Sequence, residues 1–144
     1  MTTVRHLIRN KGRVWTFAPE EPALRALKLM AEKKIGAVLI MEAEKVVGIF
    51  SERDFARAAA ADPSLSPNTP LQELMTHEVY YVSPDQTVDE CMALMTARHI
   101  RHLPVVEEHQ LVSVISIGDV VKSVLAEKES DIKGLEDYIW VNLI

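Results

Sequence analysis

The chain has a single cysteine, Cys91, among its 144 residues, so no disulfide can form within it, which fits a reducing compartment. Long hydrophobic runs are missing too. No stretch approaches the roughly 18 apolar residues of a spanning helix. Residues 1–9 mix charge with short apolar pieces rather than building a signal peptide. The expected location is cytoplasmic. Positive charge is in deficit: a formal balance of −5 disfavours general attraction to nucleic acid or an anionic membrane, so any phosphate affinity needs a local basic patch. The chain also lacks a Gly-rich phosphate loop, an activated nucleophile and a metal-ligating cluster. His99 and His102 lie three apart, but no cysteine or third histidine nearby completes a metal site. Cys91 sits between Glu90 and Met92 on a predicted packed helix, where a small buried, inert thiol is the expectation.

What the chain does contain is itself, twice. Shifting the numbering by 65 lays residues 19–57 over 84–122 without a gap. Pro19 coincides with Pro84, Leu29 and Met30 with Leu94 and Met95, Ile35 with Ile100, Val47 with Val112, Ser51 with Ser116, and Asp54 with Asp119. At 48% hydrophobic and 26% charged residues the chain can bury a core. One copy of about 45 residues is near the lower limit for doing so alone, so the two are expected to pack on each other. Little chain remains for a separate catalytic domain, which puts the function between the copies. Residues 63–70, with three prolines, form the predicted linker between a first copy (1–62) and a second (71–128), with a C-terminal helical tail at 129–144.

Each copy is punctuated in the same way. Short β-prone runs at 14–17 and 79–82 stop at Ala18-Pro19 and Ser83-Pro84, because proline cannot donate a ladder hydrogen bond. Helices follow. The second opens with Thr87 and Glu90, a capping box, and the first with Pro22 as the first helical residue. Ala23, Leu27, Met30 and Ala31, and then Val88, Met92 and Met95, recur at helical spacing and are expected to face inward as packing. Two apolar runs per copy, 37–41 with 46–50 and 103–106 with 111–115, predict hairpins. Their connections at 42–45 and 107–110 lack glycine and asparagine, so loops of about four residues are expected, not tight two-residue turns. A last helix starts near Ser51 and near Ser116. Leu71, Leu74 and Met75 form an apolar segment leading into the second copy, and Val4, Leu7 and Ile8 are expected to play that part for the first. Apolar residues from Val121 to Ile139 predict a long final helix projecting beyond the pair.

Two signatures sit where the hairpin enters the last helix: Gly-Ile-Phe-Ser-Glu-Arg-Asp at 48–54 and Ser-Val-Ile-Ser-Ile-Gly-Asp at 113–119. Serine followed three residues later by aspartate is a helix-capping pattern. The same hydroxyl and carboxylate, beside the amides of a helix N-terminus, also suit a ligand hydroxyl or anion, and a carboxylate accepts two hydrogen bonds from a vicinal diol. The two readings are compatible.

This duplicated strand-helix-strand-strand-helix unit ending in Gly-h-h-Ser-x-x-Asp resembles a tandem pair of CBS (cystathionine β-synthase) domains. The Arg-His-Ile-Arg-His-Leu-Pro-Val-Val segment at 98–106 is similar to that family's second-strand motif, and residues 112–121 to its usual ending. The match covers nearly the whole chain and is to small bacterial proteins made of one CBS pair. It implies an α/β fold of α+β type, with two β-α-β-β-α units about a pseudo-two-fold axis. Between them it implies two clefts for adenosine compounds: AMP, ADP, ATP, NAD(H) or S-adenosylmethionine. By this resemblance Asp54 and Asp119 each bind a ribose diol, and Ser51 and Ser116 hold the ribose or adjacent phosphate. The adenine would contact backbone near Thr16, Gly36, Ala37, Val38, Tyr81, His102, Leu103 and Pro104, with Trp15 a candidate flank. Ser113, where the first copy has Gly48, is expected to narrow the Asp119 cleft.

Arg98, His99, Arg101 and His102 cluster in the second copy, where the first has Lys33, Lys34, Gly36 and Ala37. The resemblance makes them phosphate ligands that weight the second copy's site, with Arg53 a further candidate and Lys11 or Arg13 placed to close over one cleft. Otherwise these charges are a solvated face. The family also implies a homodimer through exposed helices at Phe55, Ala56, Val120 and Val124, with Trp140 anchoring the tail. The expected function is a non-enzymatic sensor that passes adenine-nucleotide binding into dimer shape or an unidentified regulated protein, without nucleic acid or membrane. The alternatives are a nucleotide-processing enzyme and an interaction module with vestigial clefts.

Overall fold

A computed structural model describes residues 1–127. The first copy holds α1 (Val4–Ile8), β1 (Thr16–Phe17), α2 (Ala23–Lys33), β2 (Ala37–Glu42), β3 (Lys45–Ser51) and α3 (Glu52–Ala61). After a 3-10 turn at Leu71–Glu73, the second holds α4 (Val88–Arg98), β4 (His102–Glu107), β5 (Gln110–Ser116) and α5 (Ile117–Ala126). The first sheet has the order β1-β2-β3, with β1 parallel and β3 antiparallel to β2, and the second pairs β4 with β5. The opening strands are shorter than predicted. Residues 14–17 contribute two strand residues, and residues 79–82 only the bridge of Val82 to Val105, because Ser83-Pro84 turns the chain away at once. The predicted tail helix beyond residue 127, with Trp140, lies outside the described residues. Among the described residues no helix is long and apolar enough to cross a membrane.

Capping chemistry sets the helix ends. Ser51 with Asp54, Thr87 with Glu90, and Ser116 with Asp119 each form a complete capping box. Pro22 is the N-cap of α2 in extended conformation, one position before the predicted start, and Ala23 is the first helical residue. Ala31 is exposed, and Ala26 takes the inward position with Ala23 and Met30. Cys91 is fully buried, and burial together with the Glu90 charge pushes its thiol up to about 11, well away from a reactive thiolate.

Both hairpin connections correct the sequence expectation. The loops are two residues long, Ala43-Glu44 and Glu108-His109, each with positive φ at both positions (51° and 64°, 50° and 66°). This is the backbone of a type I′ turn, whose twist matches that of the flanking strands, built here without the glycine or asparagine that eases it. The left-handed conformation recurs at Lys34 and His99, which end α2 and α4 and donate their amides to the carbonyls of Met30 and Met95.

Two cores form, and the segments before each copy cross between them. Leu71, Leu74 and Met75 pack into the first core with Ala23, Met30, Val38, Ile40 and Phe50, and the Leu71 amide donates to the Glu21 carbonyl. Val4, Leu7 and Ile8 pack into the second core with Val82, Val88, Met95, Leu103 and Ile115, and the Val4 amide donates to the Gln86 carbonyl. Each leader therefore serves the copy that it does not precede. Val120 is fully buried in the second core and so lies off the exposed face of α5, Phe55 is half-buried against the first core, and the exposed large apolar residues of α5 are Ile117, Val121 and Leu125.

Candidate functional site

Two cavities open between the copies, one at each signature aspartate. The cavity of about 350 Å³ at Asp54 is walled from the first copy by Gly36, Ser51, Arg53 and Arg57, and from the second by Thr76, Tyr80, His99, Arg101 and His102. That of about 480 Å³ at Asp119 is walled from the second copy by His102, Ser113 and Ser116, and from the first by Lys11, Arg13, Trp15, Lys34, Gly36 and Ala37. Both volumes suit a small organic ligand. Gly36 and His102 line both cavities and form the partition between them.

Each capping box is half of a potential ligand site. Asp54 Oδ2 accepts the Ser51 amide at 2.9 Å while Ser51 Oγ accepts the Asp54 amide at 3.1 Å. In the second copy Asp119 Oδ2 accepts the Ser116 amide at 2.8 Å, and Ser116 Oγ the Asp119 amide at 3.2 Å. The box engages Oδ2 of a carboxylate that lines the cavity and leaves it further acceptor capacity, so capping and ligand recognition are compatible. The two carboxylates differ in their neighbours. Thr76 Oγ1 donates to Asp54 Oδ1 at 3.4 Å, whereas Lys11 Nζ donates to Asp119 Oδ2 at 2.8 Å. Burial raises the Asp119 carboxyl, but the hydrogen bonds from Lys11 and Ser116 outweigh it and hold the group below the usual carboxylate range. Burial, then the Lys11 charge, with Arg101 adding to them, lowers the His102 imidazole against the opposing pull of Asp119 and Asp54.

The basic cluster falls where the sequence expectation did not put it. His99, Arg101 and His102 of the second copy line the cavity of Asp54, in the first copy, together with Arg53. Lys11 and Arg13 line the Asp119 cavity. Arg98 lies outside both linings, over the Tyr80 ring at 5.0 Å. Val38, Leu103 and Pro104 are buried, and Thr16 and Tyr81 are exposed outside the two linings. Their neighbours Trp15 and Tyr80 line the cavities instead, since successive residues in extended chain point to opposite sides. Trp15 carries Arg13 at 4.5 Å and Lys33 at 5.2 Å from its ring centre. Tyr80 has a signal in the sequence, since the shift of 65 lays Trp15 on it. Gly48 lies outside the Asp54 lining, beneath Met75, whose Cγ would sit 2.8 Å from an added Cβ. Ser113 does reach the Asp119 cavity wall, 3% exposed, and its hydroxyl has no hydrogen-bond partner among the described residues. No group of three or more His, Cys, Asp or Glu side chains able to hold a metal occurs among those residues.

The profile of the CBS domain matches this chain twice, over residues 4–61 and 71–126. The chain belongs to the CBS-domain family. A CBS-domain protein of known structure from Burkholderia ambifaria MC40-6 is 44% identical, with a TM-score of 0.82 over 87% of this chain and 95% of the other. The mitochondrial CBS domain-containing protein CBSX3 of Arabidopsis thaliana is 30% identical over 96% of this chain and 72% of its own length. The CBS pair of protein MJ0100 shares the fold at 22% identity, with a TM-score of 0.77 over 88% of this chain and 98% of the other. The fold is thus a CBS pair, and its two cavities are the clefts between the CBS units.

Proposed function

We propose that this CBS pair is a non-enzymatic regulatory module that binds adenosine compounds, AMP, ADP, ATP or NAD(H), in its two clefts and converts occupancy into a change of homodimer shape or of partner choice. The observation that carries this reading is the paired arrangement of Asp54 and Asp119. Each is held by its own capping box on the wall of a cleft that the other CBS unit also lines. Each carboxylate takes a ribose diol, and the aromatic rings of Tyr80 and Trp15 lie on the respective walls for the base. A ligand that touches both units stabilises whichever relative arrangement of them it fits, which is what a sensor requires. The MJ0100 pair, which has the same fold, was crystallised with 5′-methylthioadenosine and S-adenosyl-L-methionine, in line with adenosine as the shared element. Titration calorimetry with AMP, ATP and NADH tests the reading. Binding below millimolar is expected, and it should be lost in the Asp54→Asn/Asp119→Asn double variant, which keeps both helix caps. Retention of binding by that variant would refute the assignment.

A further inference from the structure

We propose, resting on the adenosine reading above, that the two clefts divide adenosine ligands by charge: the Asp119 cleft takes the polyphosphate, and the Asp54 cleft takes a ligand with little net negative charge. In the Asp54 cleft, Arg53, Arg57 and Arg101 are matched by Glu52, Asp54 and Glu78. In the Asp119 cleft, Lys11, Arg13 and Lys34 face a single carboxylate among the described lining residues, Asp119 itself. Charges in a partly enclosed cleft are screened less than on open surface, so this difference acts on a bound ligand.

Lys11 sharpens the division. In the empty cleft its ammonium is bound to Asp119 at 2.8 Å. A ribose diol that takes Asp119 displaces that ammonium within the cleft. A nucleoside offers it no new partner, but a triphosphate does, so the exchange favours the nucleotide. Beyond its capping bond, the one side-chain partner of Asp54 among the described residues is the Thr76 hydroxyl at 3.4 Å, so an uncharged nucleoside loses nothing comparable there. The second independent feature is Ser113. Ser113 lines the Asp119 wall and its buried hydroxyl has no hydrogen-bond partner among the described residues, whereas the equivalent Gly48 lies outside the Asp54 lining, beneath Met75. A buried hydroxyl without a partner is costly, and a ligand polar group relieves it.

Calorimetry with adenosine and with ATP on the full chain tests this. Asp119→Asn is expected to lower ATP affinity at least tenfold and leave adenosine binding in place, and Asp54→Asn to do the converse. Lys11→Ala should act with opposite signs in the Asp54→Asn background, weakening ATP about tenfold while strengthening adenosine several-fold. Ser113→Ala should weaken ATP several-fold with thermal stability kept or raised. Loss of ATP binding with Asp54→Asn instead, or equal weakening of both ligands by Lys11→Ala, would overturn the division while leaving the adenosine reading intact. Failure of the unaltered protein to bind either ligand would overturn both.

Discussion

At the level of single residues, positions related by the shift of 65 carry the same backbone and opposite constraints. Gly48 has no room for a Cβ beneath Met75, so Gly48→Ala is expected to cost about 1–3 kcal/mol through overpacking. Ser113 occupies the equivalent position with a buried hydroxyl that is unpaired among the described residues. Ser113→Ala should therefore raise the stability of the ligand-free protein, by about 1 kcal/mol. Urea denaturation of both variants measures the contrast; a destabilising Ser113→Ala would mean that the hydroxyl has a partner after all. His102, in the partition, predicts a pH dependence. Its pKa is lowered on folding, chiefly by burial, so the unfolded chain takes up the proton first. The His102 contribution is complete above the ordinary histidine value of about 6.5 and is lost as pH falls below it. The melting temperature of the unaltered protein should therefore drop more steeply from pH 7 to pH 5 than that of His102→Gln, and parallel curves would refute the assignment. None of this burial was legible in the sequence, where His102 is one of four basic residues in a row of five.

The helix boundaries were legible because capping is local chemistry: Ser51, Thr87 and Ser116 with their carboxylates three residues on announce themselves in the chain. The hairpin turns were not. Their usual marker is glycine or asparagine, and here alanine, glutamate and histidine are held in the left-handed region by strand pairing on both sides, so the tertiary structure overrides local preference. That strain is removable. Replacing Ala43-Glu44 by Asn-Gly should stabilise the protein by about 1 kcal/mol, since a non-glycine residue in this conformation costs about 1–2 kcal/mol. The same change at Glu108-His109 should act alike and additively in thermal melts. Unchanged or lowered melting temperatures would contradict the assigned turn geometry.

In the whole molecule, the crossing of leader segments ties the two CBS units together. Leu71 is fully buried in the core of the first unit and Val4 in that of the second. Leu71→Ala is expected to cost about 2–5 kcal/mol. Fragments cut at the apparent boundary, 1–62 and 71–144, each lack the leader that fills their core. Neither should unfold cooperatively alone, and mixing them should restore a cooperative transition by calorimetry; cooperative melting of 1–62 alone would count against the crossing. The sequence by itself determined that there are two copies, their order of elements, their capped helices and the serine and aspartate that line each cleft, because repetition, periodicity and capping are written in residues close together. Only the tertiary structure decided which leader fills which core, that Arg101 and His99 join Asp54 while Lys11 joins Asp119, and that Trp15 and Tyr80 line the clefts. These contacts join residues from about 20 to more than 100 positions apart, and a chain made of two similar halves offers each segment two similar partners. Local pattern cannot choose between them; packing of the pair does.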